Sequence, residues 1–190
     1  MKFMALDVET GGLEPGVSLL EVYLLVLDEN MSPGAELEMR IKPDDERYVV
    51  TAGALAVNGI DLVQHDRVAD TFKAAGTRLY QFVKEQSRDG RDKLVPLGHG
   101  VAFDLPWLRG PGGLVSKGSW EQYVSYIYAD TGVAFRFLQD AGLIPRGCKH
   151  SLSALAAHFG IAFEGAHTAR GDAVMTAEVY RRMLDMVTVR

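Results

Sequence analysis

The chain holds a single cysteine, Cys148, in 190 residues, which excludes an internal disulfide and fits a reducing cytosol. A lone thiol beside a loop reads as incidental. No apolar run approaches the roughly 20 residues that a membrane span needs. The opening M-K-F-M-A-L-D-V-E also lacks a signal-peptide layout, because its short apolar part runs straight into acidic residues. A soluble cytoplasmic protein with no membrane partner is the expectation. Positive charge is in deficit as well. The formal net charge is −5 and the pI about 5.5, which argues against a broad non-specific grip on nucleic acid. The sequence has no internal repeats, low-complexity tracts or long Pro- or Ser-rich linkers. What is present, 47% hydrophobic and 24% charged residues, suits one sizeable core, so a single domain over residues 1–190 is expected.

Residues 2–8 form a short apolar stretch that ends at acids, and Gly11, Gly12, Pro15 and Gly16 punctuate a turn after it. Residues 18–28 are rich in β-formers and Leu, as in a buried strand, and residues 36–41 alternate polar and apolar, as in a half-exposed one. Three strands with short connections predict an antiparallel meander. Residues 51–57 read as a helix capped by Thr51 and ended by Asn58-Gly59. Apolar residues at 68, 69, 72, 75, 79, 82 and 83 predict a helix over 68–86. Residues 94–97 read as a fourth strand, whose Pro96 suits a sheet edge or strand end. A short helix at 104–109 follows, then a fifth strand from about 125 to 129, with a helix over 120–127 as the alternative. Helices over 132–140, from 151 to about 159, and over 167–186 complete the chain. The order βββαβαβαα predicts an α/β fold with a central five-stranded mixed sheet flanked by helices.

Five residues far apart in this scheme form one chemical set: Asp7 and Glu9 in D-V-E-T-G-G, Asp104 in G-H-G-V-A-F-D, and His167 with Asp172 in H-T-A-R-G-D-A. Four carboxylates and an imidazole are what a protein needs to hold two divalent cations and deprotonate a water. Two metals about 3.5–4 Å apart can clamp the attacking and leaving oxygens of a phosphodiester. Mg²⁺ prefers carboxylate oxygens and keeps several waters, and a histidine titrates near working pH. Asp7 and Glu9, two apart on a strand, face the same side. Asp104 leaves the end of the neighbouring strand, and the last helix brings His167 and Asp172 across that edge. Each residue alone has a plainer reading. A D-x-E at a strand end is common, Asp104 would serve as a helix cap, and His167 as a surface or capping histidine. Gly171 costs roughly 1 kcal/mol relative to Ala inside a helix, so the helix proper is expected to begin around Asp172, with His167 outside it.

The order and wording of these segments resemble the DEDDh branch of the 3′→5′ exonucleases, the DnaQ-like family that includes proofreading subunits, ribonuclease T and oligoribonuclease. Asp7 and Glu9 match its D-x-E-T-x-G motif, Asp104 the second motif, and His167 with Asp172 its H-x-A-x-x-D-A. The resemblance runs over residues 3–184, and A-L-A-V-N-G-I-D at 54–61 is similar to a stretch of ribonuclease T and its relatives. One departure stands out: where the family reads G-H-N, this chain has Gly98, His99 and Gly100. The missing amide removes a hydrogen bond worth about 0.5–1.5 kcal/mol and leaves all five positions of the set in place.

The resemblance implies a ribonuclease H-like fold and release of 5′-mononucleotides from single-stranded DNA or RNA 3′ ends. It implies two Mg²⁺ or Mn²⁺ ions held by Asp7, Glu9, Asp104 and Asp172, with His167 as the base. A polymerase or another replication or repair protein is an implied partner. Thr10, Gly11, Gly12 and Leu13 would meet the terminal nucleotide, and Phe103 would stack on a base or join the core. Trp107 reads as packing. His99 is expected to satisfy a core or backbone bond, and His65, His150 and His158 read as loop, cap and helix-surface residues. Lys73, Arg78, Lys84, Arg88, Arg91 and Lys93 read as a solvated face in preference to a strand-guiding track. Two rivals stay open. One is a non-catalytic nucleic-acid-binding or scaffolding module on the same fold. The other is a phosphatase using Asp7 as nucleophile, although haloacid-dehalogenase enzymes need a second Asp where this chain has Glu9.

Overall fold

The computed structural model describes residues 2–87, 92–162 and 167–188. Strands β1 (Phe3–Thr10), β2 (Leu19–Leu27) and β3 (Pro33–Lys42) form the expected antiparallel meander, with Asp7 opposite Tyr23 and Tyr23 opposite Glu38. Helices α1 (Ala52–Asn58) and α2 (Leu62–Val68) follow, then the two-residue β4 (Asp70–Thr71) and α3 (Phe72–Gln86). The chain continues through β5 (Val95–Gly98), α4 (Leu105–Leu108), α5 (Lys117–Glu121), β6 (Ala129–Asp130), α6 (Thr131–Asp140), α7 (Leu152–His158) and α8 (Ala169–Val187). The sheet has the order β4-β3-β2-β1-β5-β6, with β4, β5 and β6 parallel to their neighbours β3, β1 and β5.

The sheet therefore has six strands, not five. The extra strand β4 is two residues long and runs directly into α3, so no alternation announces it. The expected strand over 125–129 contracts to β6, while Val124 makes only an isolated bridge to Leu94. Trp120 lies in the short helix α5, so the helical alternative holds for the start of that segment. Helix α2 went unseen because it buries only His65 and leaves Val63 and Val68 exposed, so it has no apolar stripe. Pro96 is not at a sheet edge, since β5 lies between β1 and β6. The Leu94 N–H points to Tyr123 and the Val95 N–H to Lys2 on opposite sides. By that alternation Pro96 turns its missing N–H toward the β6 side, where strand pairing begins only at Leu97.

Period-two alternation along β1 divides the core and creates the site. Met4, Leu6 and Val8 face α3, packing with Val22, Leu24, Met39, Ala75, Leu79 and Trp120. Ala5 faces the other way, with Tyr23, Leu25 and Leu97, and α8 covers this face through Ala169, Ala173 and Ala177. These alanines recur every four residues, so α8 presents a flat stripe to the sheet. Its opposite side, with Met175, Val179 and Met183, packs on α6 and α7. Asp7 and Glu9 continue the α8-facing row of β1 beyond Ala5, toward the point where α8 begins. No helix among the described residues is long and apolar enough to cross a membrane.

The α3 contact supplies a stability test. A Cβ on Gly76 would stand 2.4 Å from the backbone oxygen of Leu114. Ala is favoured over Gly in a helix by about 1 kcal/mol, whereas forcing atoms into a packed site costs about 1–3 kcal/mol. Because the obstruction is backbone, the clash should win. Gly76→Ala is expected to lose about 1–2 kcal/mol, read as a lower urea midpoint at unchanged slope.

Candidate active site

Carboxylate oxygens of Asp7, Glu9 and Asp172 all lie within 4.8 Å of one another. Asp7 and Glu9 come from the last turns of the pleat of β1, where the register shifts between Glu9 and Thr10. Asp172 sits in the first turn of α8, where the helix dipole favours a negative charge. That helix begins at Ala169, earlier than expected, with Thr168 as its cap accepting the Gly171 N–H at 3.1 Å. Gly171 thus stands in a capped first turn, where the helix-interior penalty does not apply in full. His167 lies outside the helix, exposed, with a left-handed φ of 63°.

Asp104 stands at the position before α4, but its side chain caps nothing. Its Oδ1 instead accepts the Val8 N–H of β1 at 3.2 Å. The helix-cap reading therefore fails for this residue. Buried to 4% exposure, Asp104 is the charge that acts most strongly on Asp7.

The acids do not tolerate their mutual proximity as ordinary carboxylates. Burial first, then Asp104, Asp172 and Glu9, hold Asp7 well above the usual range. Glu9 is pushed up to about 7 by burial, Asp172 and Glu21, against a bond from Asn58. Asp104 is pushed up to about 7 by burial, Asp130 and Glu9, opposed by the N–H groups of Val8 and of Asp104 itself. Burial also raises Asp172, while the His167 N–H and the charges of His167 and His99 pull it down. A site of converging hard oxygens that resists its own ionisation fits a divalent cation of the Mg²⁺ or Mn²⁺ kind.

The neighbouring turn is rigid. The Thr10 hydroxyl donates to the Gly12 oxygen at 2.7 Å, the Gly11 N–H donates to Ser18, and the Gly11 oxygen accepts from Thr51. A Cβ on Gly11 would lie 2.3 Å from the Val49 oxygen, so only glycine fits. With both backbone groups engaged, Gly11 offers a ligand shape and no hydrogen bond. Gly12 packs beside Val17 and Thr51. Leu13 projects from the turn at 84% exposure. Phe103 is also exposed, tilted over Trp107 at 6.3 Å, while Trp107 packs against the core as expected.

His99 uses Nδ1 on the Thr131 hydroxyl at 2.9 Å, and Asp130 accepts the Val101 N–H at 2.9 Å. These bonds tie the G-H-G segment to β6 and α6. Gly100 has φ of 74° and no atom within 4 Å of a Cβ built on it. His65 is not a loop residue: it is buried on α2, with Nε2 2.9 Å from the Ile41 oxygen. His150 and His158 pack edge-on to Phe135, and the Cys148 Sγ lies 3.7 Å from His158 Nδ1. Arg78 pairs with Asp70, and Lys93 bonds the Glu121 oxygen, as a structural face would. Arg88 and Arg91 lie outside the described residues.

Two polar residues at the site were missed in the sequence. Glu21 lies opposite Glu9 and pairs with Arg40 at 3.4 Å. Its signal was present, an acid inside the apolar run L-L-E-V-Y-L-L. Asn58 donates to the Thr10 oxygen at 3.4 Å, and nothing in its helix-ending N-G context sets it apart. A cavity of about 590 Å³ lies alongside, lined by Glu21, Arg40, Asn58, Ile60, Gln64 and Thr168.

A mixed sheet with an acidic cluster where its first strand meets its last helix defines a nuclease-type domain. Residues 4–180 match the family described as exonuclease, RNase_T, and the chain belongs to that family, its motifs placing it in the DEDDh, DnaQ-like branch. A curated relative, a DNA polymerase III subunit epsilon-like protein of Rhodobacter capsulatus, is 27% identical over the whole chain, which spans 25% of that protein. Escherichia coli exonuclease I, solved with a dT13 oligonucleotide, superposes with a TM-score of 0.71 at 20% identity, covering 97% of this chain and 42% of the other. A 3′-exonuclease described for 3′-end-specific recognition of a histone mRNA stem-loop gives 0.67 at 16% identity, covering 97% and 81%. The ribonuclease H-like fold is thus shared with nucleases of different substrates.

The raised carboxylates have a consequence for stability without metal. In the folded state Glu9 and Asp104 keep their protons up to about 7, whereas in the unfolded chain they release them near 4. Between these values the folded state binds more protons, so stability falls as pH rises. In EDTA the melting temperature should drop from pH 4.5 to 7.5 (about the window set by those values), and Asp104→Asn should flatten the drop and melt higher at the upper end. Mg²⁺ should restore the wild type at the upper pH. Thermal melts across pH, with and without Mg²⁺, check all three.

Proposed function

We propose that residues 1–190 form a single exonuclease domain that acts in the 3′→5′ direction on single-stranded DNA or RNA ends and releases 5′-mononucleotides. The observation that carries it is the convergence of Asp7, Glu9 and Asp172 within 4.8 Å, with Asp104 bonded to the Val8 N–H beside Asp7 and His167 exposed just before α8. Asp7, Glu9, Asp104 and Asp172 would hold two Mg²⁺ or Mn²⁺ ions. When bound, such ions supply positive charge to the phosphate and the leaving oxygen. His167 is exposed and free of the helix, beside Asp172, and accepts the proton of the attacking water. The water oxygen bonds to phosphorus as the P–O3′ bond breaks, and the leaving 3′-oxygen takes a proton from solvent to become the new 3′-hydroxyl.

The rigid turn from Thr10 to Gly12 presents Leu13 for contact with the terminal base, and Phe103 for stacking on the strand. The adjoining cavity is of nucleotide size. An acidic protein that grips only a strand end needs few phosphate contacts. The dT13 complex of exonuclease I supports the single-stranded preference. The epsilon-like relative supports association with a polymerase or another replication or repair protein, in a cytoplasmic setting. A non-catalytic module would have no use for four carboxylates held against their own repulsion.

End-labelled single- and double-stranded DNA and RNA, incubated with and without Mg²⁺, test the assignment. Single strands should shorten from the 3′ end only with metal, and a blocked 3′ terminus or a circular strand should resist. Asp7→Asn should be inactive. His167→Ala should lose about 10²–10⁴-fold in turnover while still binding Mn²⁺. Undiminished cleavage in EDTA, or near-normal turnover without His167, would contradict the mechanism.

Gly100 offers a gain-of-function test. Its left-handed backbone is one that Asn tolerates, and the space around it is open. Gly100→Asn should fold normally and raise kcat/KM by about 2–12-fold, the equivalent of one added neutral hydrogen bond. Steady-state kinetics on a short oligonucleotide read this directly.

A further inference from the structure

The start of α8 carries Asp172, with His167 just before it, and it meets the sheet through small side chains. Its sheet-facing side chains there, Ala169 and Ala173, are too short to fix a rotation of the turn. The Asp172 carboxylate also lies within 4.8 Å of those of Asp7 and Glu9, so like charges converge there and push the turn from the sheet when ionised. Something has to pull in the other direction.

Arg170 is placed to do so. Its guanidinium lies over the ring of Tyr23, 5.9 Å from the centroid. Its Nη2 stands 3.6 Å from Glu36 Oε2, and the same carboxylate oxygen accepts the Tyr23 hydroxyl. Tyr23 is buried, at 1% exposure, and is the cross-strand neighbour of Asp7. Arg170 therefore ties the first turn of α8 to β2 beside one metal-site acid and to β3 one strand further on. The fixed fork of a guanidinium can stack and pair at once, which an ammonium cannot.

We propose that Arg170 is a positioning residue that, through Tyr23 and Glu36, holds the first turn of α8 so that Asp172 and His167 meet Asp7 and Glu9. This inference rests on the exonuclease reading. Arg170 touches neither the acids nor, in this arrangement, the substrate. As a stability device alone it would count for little, because its side chain is 60% exposed and exposed ion pairs contribute little to folding. A positioning role and a structural role thus predict different outcomes.

The test compares wild type, Arg170→Ala, Arg170→Lys and Glu36→Gln by three readouts: kcat and KM on a single-stranded oligonucleotide, Mn²⁺ affinity by calorimetry, and melting temperature. A displaced catalytic group costs up to about 10²-fold, so Arg170→Ala should lower kcat at least about tenfold with KM within about twofold. It should weaken Mn²⁺ binding several-fold while melting within a few degrees of wild type. Arg170→Lys should lie between the two, and Glu36→Gln should move in the same direction as Arg170→Ala. If Arg170→Ala fails to fold, Glu36→Gln decides on the same readouts. The proposal is overturned if kcat and Mn²⁺ affinity stay within about twofold of wild type, whatever happens to the melting temperature. Failure of the exonuclease reading looks different. Wild type would then neither bind Mn²⁺ nor cleave, and the inference would fall with it. An active wild type with an equally active Arg170→Ala removes the inference alone.

Discussion

Mutual repulsion among half-buried carboxylates is the constraint around which this fold is arranged. Burial raises the cost of ionising Asp7, Glu9, Asp104 and Asp172, and neighbouring acids add to it at Asp7, Glu9 and Asp104. Left to itself such a cluster would open, since like charges at short range in a low-dielectric setting repel strongly. At Asp104 the structure opposes this with a backbone N–H and not with a counter-charge. The strongest charges on Asp7 are the three other acids, and what steadies Asp104 is the Val8 N–H. A protein that wanted only stability would put Lys or Arg here. Reserving that place for a cation from solution makes metal binding and folding draw on the same free energy.

Much of the site was legible because it is written in local patterns. The D-x-E spacing puts two acids on one face of a strand, and the H-x-A-x-x-D spacing puts Asp172 at the start of the last helix. The meander follows from the apolar runs of β1 and β2 and the alternation of β3, and α8 from Ala173, Ala177, Tyr180 and Leu184 on one face. Misses fell where such patterns are too short to register. Two-residue strands such as β4 and β6 are defined by their neighbours' edges, not by their own residues. Helix α2 is held by the Asp61 cap and by His65 reaching the Ile41 oxygen, neither of which shows as periodicity. Glu21 is a further case, since its place opposite Glu9 and beside Arg40 depends on strand register.

Pro96 and Gly171 show how a correct rule depends on context that the sequence does not carry: Pro96 sits near a strand end but not at a sheet edge, and Gly171 sits inside a capped turn. Proline does remove a ladder hydrogen bond, but on β5 the missing donor faces a strand that has not yet begun to pair. Glycine does weaken a helix interior, but at 171 it lies in the first turn, and the Thr168 hydroxyl takes its N–H. In both places the local cost is lowered by where the chain happens to end or begin an element. Sequence alone carries the cost and not the exemption.

The same logic explains why the beginning and the end of the domain have to be coupled. Asp7 comes from the first strand and Asp172 from the last helix, so the site exists only when the most distant parts of the chain are docked. The alanine stripe of α8 lets it approach the sheet closely but offers its first turn only small side chains as anchors. Free energies of local opening vary across a fold, and an element end with few buried contacts opens first. Opening there separates Asp172 and His167 from β1 while the core around α3 stays intact. A bound cation bridging the two elements would raise the cost of that opening. On the proposed reading, metal occupancy and the order of the α8 start would be two expressions of one equilibrium, so that a change in either would move the other.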